Sequence, residues 1–548
     1  MSHSSRTVIL RAIAGSVAAL IAGTAIAGPI VHAPAGTLEG GTKKGVLTFK
    51  GIPYAQPPVG ELRWKPPVPL PAWQGVRDAA GFSPSCIQPR PLGRSIYTNE
   101  PPKISEDCLY LNVWAPEGVR DAPVFFWIHG GALTSGSGAE AIYDGTKLAQ
   151  RGVVVVTINY RLGALGYLAH PELSAESPEK ISGNYGLLDQ IEALRWVKTN
   201  IAAFGGDAAN VTIAGESAGA LSVMYLMASP PARGLFSKAI AQSAYMISTP
   251  ELKQARFGEQ PAEALGIKLA TAIGANDVAA LRAMSGVEVV NAAARAGYFP
   301  LGTVDGHLLP HQIAEVFDRG EQAPVPILAG FNSGEIRSLR FLAPPTPSSE
   351  SAYESEIRTR YADLAESFLK QYPSKHLEEA VLAITRDAMY GWTAERLVRK
   401  QTALGKPSFF YIFDHGYPNA DSLGLHAFHG SELPYVFGTA SRTPPFWPKL
   451  PKSRAETDFS EAMIDYWTSF VRTGQPTAEQ QPDWPAFGSS HAYMYFADVP
   501  KPAARLLPGM FELHEQVVCR RRADGTQPWN WNVGVISPAL PPRTESCR

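Results

Sequence analysis

The chain has 548 residues, of which 45% are hydrophobic and 18% charged, and its 49 basic side chains meet 50 acidic ones. This is the composition of a packed globular protein and excludes a disordered or fibrous chain. With a net charge of −1, scattered basic residues and no Lys/Arg run long enough to carry a functional reading, it carries no electrostatic footprint for nucleic acid or an anionic membrane.

At the N-terminus, Arg6 and Arg11 precede an apolar stretch from Ala12 that ends in Ala25-Ile26-Ala27. A basic start, a short apolar run and an A-x-A site describe a secretory signal peptide, with cleavage expected after Ala27. The competing reading, a membrane anchor, needs about 20 apolar residues, more than this run supplies, and no later stretch is long enough to span. No twin-arginine pair is present. The mature chain, residues 28–548, is therefore expected in the periplasm or outside the cell. Four cysteines suit that compartment: Cys86, Cys108, Cys519 and Cys547. Four allow three pairings; proximity favours Cys86–Cys108 and Cys519–Cys547, and free buried thiols are the alternative. No C-x-x-C spacing points to metal or redox chemistry.

Further along, "APVFFWIHG" (122–130) and "GVVVVTINY" (152–160) are short apolar runs rich in Val, Phe and Ile, as strands buried on both faces require. Residues 184–207 carry apolar side chains at helical spacing and stop at Gly205-Gly206. The strand "NVTIAG", a turn, and the helix "SAGALSVMYLMAS" follow, then the strands "FSKAIAQSA" (236–244) and "VPILAGFN" (325–332). Such alternation predicts a mostly parallel sheet covered by helices on both sides, with ligands gathering at the carboxyl ends of its strands. The segments 255–296 and 350–405 read as helical insertions forming a cap, and the tail after Pro508 carries no assignable pattern. Length alone suggests about three or four domains, yet no linker or repeat divides the chain.

The turn between strand and helix reads Gly215-Glu216-Ser217-Ala218-Gly219. A G-x-S-x-G match is weak by itself, because Gly and Ser are common. Between a strand and a helix it becomes a nucleophile elbow, where small neighbours let a serine hydroxyl project over the helix N-terminus. "WIHGGALTSGSG" (127–138) follows another strand and has the adjacent glycines of an oxyanion loop; a plain glycine turn is the bland alternative. The base should be a late histidine. His3 falls in the signal peptide, and His129 suits a structural hydrogen bond. His426 and His429 form H-x-x-H, for which no further metal ligands are evident. His429, followed by Gly430, is the better base. For the acid, Glu335 lies just past a strand, whereas Asp305 reads more naturally as an Asp-Gly turn.

These stretches, with "FKGIPYAQPPVGELRW", "SEDCLYLNVWAP" and "HGSELPYVFG" in order from about residue 38 to 438 and "WPAFGSSHAYMYF" beyond them, resemble the type-B carboxylesterases, which include the cholinesterases. The resemblance implies one α/β-hydrolase domain: a central mostly parallel sheet flanked by helices, with helical cap insertions. It implies Ser217 as nucleophile, Glu335 as acid and His429 as base, with oxyanion donors from the N–H groups of Gly131, Ala132 and Ala218. Cys86–Cys108 matches the family's first disulfide, and Arg63–Glu106 and Arg161–Asp189 match its ion pairs. Glu216 and Glu432 match acids close to the serine and histidine, and Ser243 is expected in the same surroundings. The oxyanion loop reads Gly-Gly-Ala where cholinesterases carry a third Gly, and residues 87–107 lack the Trp that choline recognition wants. The expected activity is hydrolysis of small carboxylic esters through an acyl-enzyme, with no metal or organic cofactor required. Two rivals are an esterase for large polyesters such as fumonisin-type toxins, whose anionic acyl groups would want basic residues such as Arg337 and Arg340, although solvated surface is the commoner fate of such arginines, and a non-catalytic cholinesterase-like binding protein.

Overall fold

Side chains alternate across the central strand Ala122–Ile128: Val124, Phe126 and Ile128 enter one buried cluster, Phe125 and Trp127 another. Both faces are covered, which is why the sequence shows an unbroken apolar run there. The computed structural model describes residues 1, 28–91, 93–530 and 533–547. The signal-peptide reading falls on residues 2–27 and lies outside the described residues.

Among the described residues, eleven strands form the main sheet. In chain order they are β1 (Gly41–Lys43), β2 (Val46–Pro53), β3 (Tyr110–Pro116), β4 (Ala122–Ile128), β5 (Val154–Ile158), β6 (Gly206–Glu216), β7 (Lys238–Gln242), β8 (Ile327–Asn332), β9 (Ser408–Phe413), β10 (Ala492–Phe496) and β11 (Pro500–Ala504). Their spatial order is β11-β10-β9-β8-β7-β6-β4-β5-β3-β2-β1. From β10 through to β5 every pairing is parallel, and the outer pairings are antiparallel. Register aligns the carboxyl ends: Gly215 sits beside Ile128, Glu216 beside Gln242, and Gln242 beside Gly330.

Helices α1 (Tyr185–Asn200), α2 (Ala218–Ala228) and α3 (Trp392–Ala403) share the first cluster, with Leu194, Leu221 and Leu397 fully buried. The opposite face is closed by α4 (Arg454–Thr473), which inserts Phe459, Trp467 and Phe470. Ser453 caps α4 by accepting the Glu456 N–H (3.1 Å), and Gly474 ends it at φ 79°.

The segment 255–296 is helical as expected and builds its own small core, in which Leu269, Leu281 and Val289 pack with Leu165 and Leu168. The expected cap at 350–405 divides. Its early helices pack together with Leu513 and Val517 in a separate cluster, but α3 lies against β8 and β9 as a layer of the main fold. The tail holds a helix, α5 (Met510–Asp524), pinned by Cys519–Cys547. Cys86–Cys108 is the other disulfide. Both sequence-favoured pairings are therefore present.

Candidate active site

Strand β6 delivers Ser217 into the backbone conformation φ 57°, ψ −123°, outside the regions ordinary residues favour. The flanking glycines are sterically compelled. A Cβ on Gly215 would meet the Gly219 carbonyl carbon at 2.4 Å, and one on Gly219 would meet the Ile128 carbonyl oxygen at 2.1 Å. The Ser217 N–H is held by Gln242 O (3.0 Å), and its side chain makes no cap to α2. The hydroxyl is left free for other work.

The loop after β4 runs against this turn. A Cβ on Gly130 would sit 2.8 Å from the Glu216 carbonyl oxygen and 3.2 Å from Ser217 Cβ. Gly131 (φ 103°), Ala132 (φ 53°) and Leu133 (φ 57°) bend the loop. Thr134 and Ser135 N–H both close onto Gly131 O. Among the described residues the N–H groups of Gly131, Ala132 and Ala218 donate to no protein acceptor. Gly131 is exposed, Ala132 half-buried and Ala218 buried, and the loop carrying the first two passes against Ser217 at Gly130. His129 takes the structural place expected of it: its Nδ1 pairs with Gly130 O (2.8 Å), its ring stacks on Tyr160, and burial lowers its pKa to about 4.

Two loops bring acid and histidine together. Gly334 N–H donates to Ala427 O (2.9 Å), forming a bridge with the segment that ends in His429. Glu335 is fully buried, accepts the Asn332 N–H at Oε1 (2.9 Å) and places Oε2 2.5 Å from His429 Nδ1. His429 Nε2 lies 3.1 Å from Glu216 Oε1, beside Ser217. The Ser217 hydroxyl itself makes no hydrogen bond to the imidazole; such contacts commonly tighten only once substrate is bound. Burial lowers the His429 pKa, but Glu216, Glu335 and Glu432 outweigh it and raise it to about 9. Burial raises Glu216 to about 8 against the pull of His429, and burial raises Glu432 as well.

Glu432 is held by Gln242 Nε2 (2.9 Å) and Asn332 Nδ2 (2.6 Å), at the ends of β7 and β8. Ser243 is also at the end of β7, buried at φ 50°, with its hydroxyl unpartnered. Sequence reasoning missed Gln242 and Asn332, although their place at strand ends was the available signal. It also missed Tyr390, in a five-residue π-helical stretch, Asp387–Gly391, which sets its ring 5.4 Å from that of His429.

Other candidates lie elsewhere. Asp305 accepts the His307, Leu308 and Leu309 N–H groups, the work of a turn. His426 is clamped between Asp421 (2.9 Å) and Asp414 (3.1 Å). Among the described residues no group of three or more His, Cys, Asp or Glu is arranged to hold a metal. Arg337 pairs with Glu379 (2.7 Å), and Arg340 donates to the Pro344 carbonyl (2.9 Å) and to Thr346 (3.0 Å), so both guanidinium groups are engaged.

The family profile described as the carboxylesterase family matches residues 27–507. A fumonisin B1 esterase of Sphingopyxis macrogoltabida is 37% identical over 85% of this chain and 86% of its own. A para-nitrobenzyl esterase of Bacillus subtilis is 36% identical over 84% of this chain and 92% of its own. Among solved structures, a PNB esterase superposes with a TM-score of 0.77 at 33% identity, covering 88% of this chain and 99% of that one. The Geobacillus stearothermophilus carboxylesterase gives 0.76 at 34%, with the same coverage.

Proposed function

This chain belongs to the carboxylesterase family and hydrolyses carboxylic esters as a serine hydrolase; from that premise we propose that Ser217, His429 and Glu335 carry the reaction. The observation that carries the assignment is the 2.5 Å contact between His429 and buried Glu335, next to a serine on a strained turn. His429 Nε2 accepts the Ser217 proton as the hydroxyl attacks the ester carbonyl. Glu335 fixes the ring through Nδ1 and stabilises the imidazolium. The alkoxide that forms is received by the N–H groups of Gly131, Ala132 and Ala218. Collapse expels the alcohol, which takes the proton from Nε2. Water, deprotonated by the same nitrogen, then attacks the acyl-enzyme and releases the acid and free serine.

The test is Ser217→Ala, expected to lower kcat on a p-nitrophenyl ester by about 10⁶. A serine-directed organophosphate should label Ser217 in the parent protein, as read by peptide mass spectrometry. Turnover near the parent rate, or labelling at another serine, overturns the assignment.

A second reading is favoured by one relative, the fumonisin B1 esterase: large polyesters as substrates. The engaged Arg337 and Arg340 weigh against acyl groups bearing free carboxylates. Matched esters with neutral and carboxylate-bearing acyl chains separate the readings, since a polyester specialist of that kind should prefer the second. The two disulfides support export to the periplasm or medium, which fractionation and N-terminal sequencing of the mature protein would test. Among the described residues no helix is long and apolar enough to cross a membrane.

A further inference from the structure

The loop closed by Cys86–Cys108 is tied to both halves of the site. On one side Gln88 and Gly136 exchange hydrogen bonds: Gln88 Nε2 donates to Gly136 O (3.2 Å), and Gly136 N–H donates to Gln88 Oε1 (3.1 Å). That fixes the loop bearing Gly131 and Ala132. On the other side Tyr97 reaches across 332 positions of sequence to the backbone carbonyl of His429, 2.8 Å away. Its phenol oxygen also lies 2.7 Å from Ser338 Oγ, and Ser338 Oγ accepts the His429 N–H at 3.3 Å.

A phenol has one proton and a carbonyl only accepts, so Tyr97 donates to His429 O, and the one Ser338 hydroxyl proton is shared between Tyr97 Oη (2.7 Å) and the Glu335 carbonyl (3.4 Å). The three groups form a closed ring through both backbone polar atoms of His429. Such a tie has a purpose at this position, because Gly430 follows at φ 74° and by itself gives the chain wide backbone freedom. Glu335 fixes the imidazole at Nδ1 and Asn332 Nδ2 holds the Phe428 carbonyl before it (2.8 Å); the carbonyl of His429 itself is held by Tyr97.

We propose that Tyr97 is a positioning residue for His429, holding the histidine's peptide through its hydroxyl and Ser338 so that the ring stays aimed at the serine. The proposal rests on His429 being the base. It makes the disulfide loop a strap that joins the oxyanion side of the site to the base.

The experiment uses the full chain with Tyr97→Phe, Ser338→Ala and the double variant, assayed on a p-nitrophenyl ester across pH. Tyr97→Phe keeps the ring packing against His429 and Trp447 and removes only the hydroxyl. Its kcat should fall about tenfold, since small misplacements of a reacting group cost one to two orders of magnitude. KM should stay within about twofold. Ser338→Ala should do the same, and the double variant should be no slower than the worse single one, because both break one ring. An unchanged kcat with a lowered melting midpoint, a raised KM at unchanged kcat, or additive losses would each overturn the proposal. Should Tyr97→Phe fail to fold, Ser338→Ala alone carries the same expectation. His429→Ala serves as the control: if it is inactive while Tyr97→Phe runs at full rate, only the positioning role fails. An active His429→Ala would sink the site assignment itself.

Discussion

Arg161–Asp189 and His429–Glu335 are both buried pairs of base and acid, and they differ in what is left unsatisfied. Asp189 accepts the Arg161 backbone N–H (3.0 Å), Nε (2.8 Å) and Nη2 (2.7 Å), and Arg161 Nη1 donates to Lys65 O (2.9 Å). A guanidinium keeps its proton at any working pH, so this pair is a fixed brace. In the second pair the imidazole can lose its proton, and its Nε2 faces Glu216 Oε1, an oxygen with no hydrogen-bond partner. Complete satisfaction builds the scaffold; the chemistry sits where one nitrogen is withheld from it.

Substitutions can break this contrast in order of size. His429→Ala should lower kcat by about 10⁶ while leaving the thermal midpoint within a few degrees, read by calorimetry beside the ester assay. Glu335→Gln keeps the shape but loses the charge behind the ring, and kcat should drop about 10⁴. Asp189→Ala should act the other way round: it strands a buried guanidinium and costs about 3–5 kcal/mol of stability. Turnover per folded molecule should hold, as active-site titration would check; a kcat loss without destabilisation would erase the distinction. The smallest change is Glu216→Gln. His429 works when neutral, so activity rises as pH climbs through its raised pKa of about 9. Removing one of the carboxylates that raise it should shift the acid limb of the kcat/KM profile to lower pH, and a shift to higher pH would contradict the charge assignment.

The two pairs were legible in different ways: Arg161–Asp189 through the family resemblance alone, the site residues through local pattern as well. Strands covered on both faces must be apolar throughout, so β4, β5 and β6 announce themselves, and the turns at their ends carry the glycines that close contact demands. Ser217 sits just past the end of β6 and Glu335 just past β8, whereas His429 lies in the loop well beyond β9, where Gly430 was its only local signal. Tyr97 and Ser338 gave no such signal, because their work depends on a contact between loops far apart in sequence. The α5 helix stayed hidden because its buried side chains include His514, Arg520 and Arg521. Asp363 takes the Arg520 guanidinium in two contacts of 2.6 Å, a partner no periodicity reveals. The role of α3 was misread for a related reason: helical spacing shows that a helix has an apolar face, and only the tertiary fold shows that β8 and β9 cover it.

The carboxyl groups of Glu216, Glu335 and Glu432 crowding one imidazole bear on turnover as well as on titration. Burial holds the Glu216 carboxyl protonated until the pH nears about 8, so its negative charge appears only in mildly alkaline medium. Hydrolysis converts an uncharged reactant into an anion, and above that pH the anion is released beside a like charge, so inhibition by accumulated carboxylate should weaken as the pH rises.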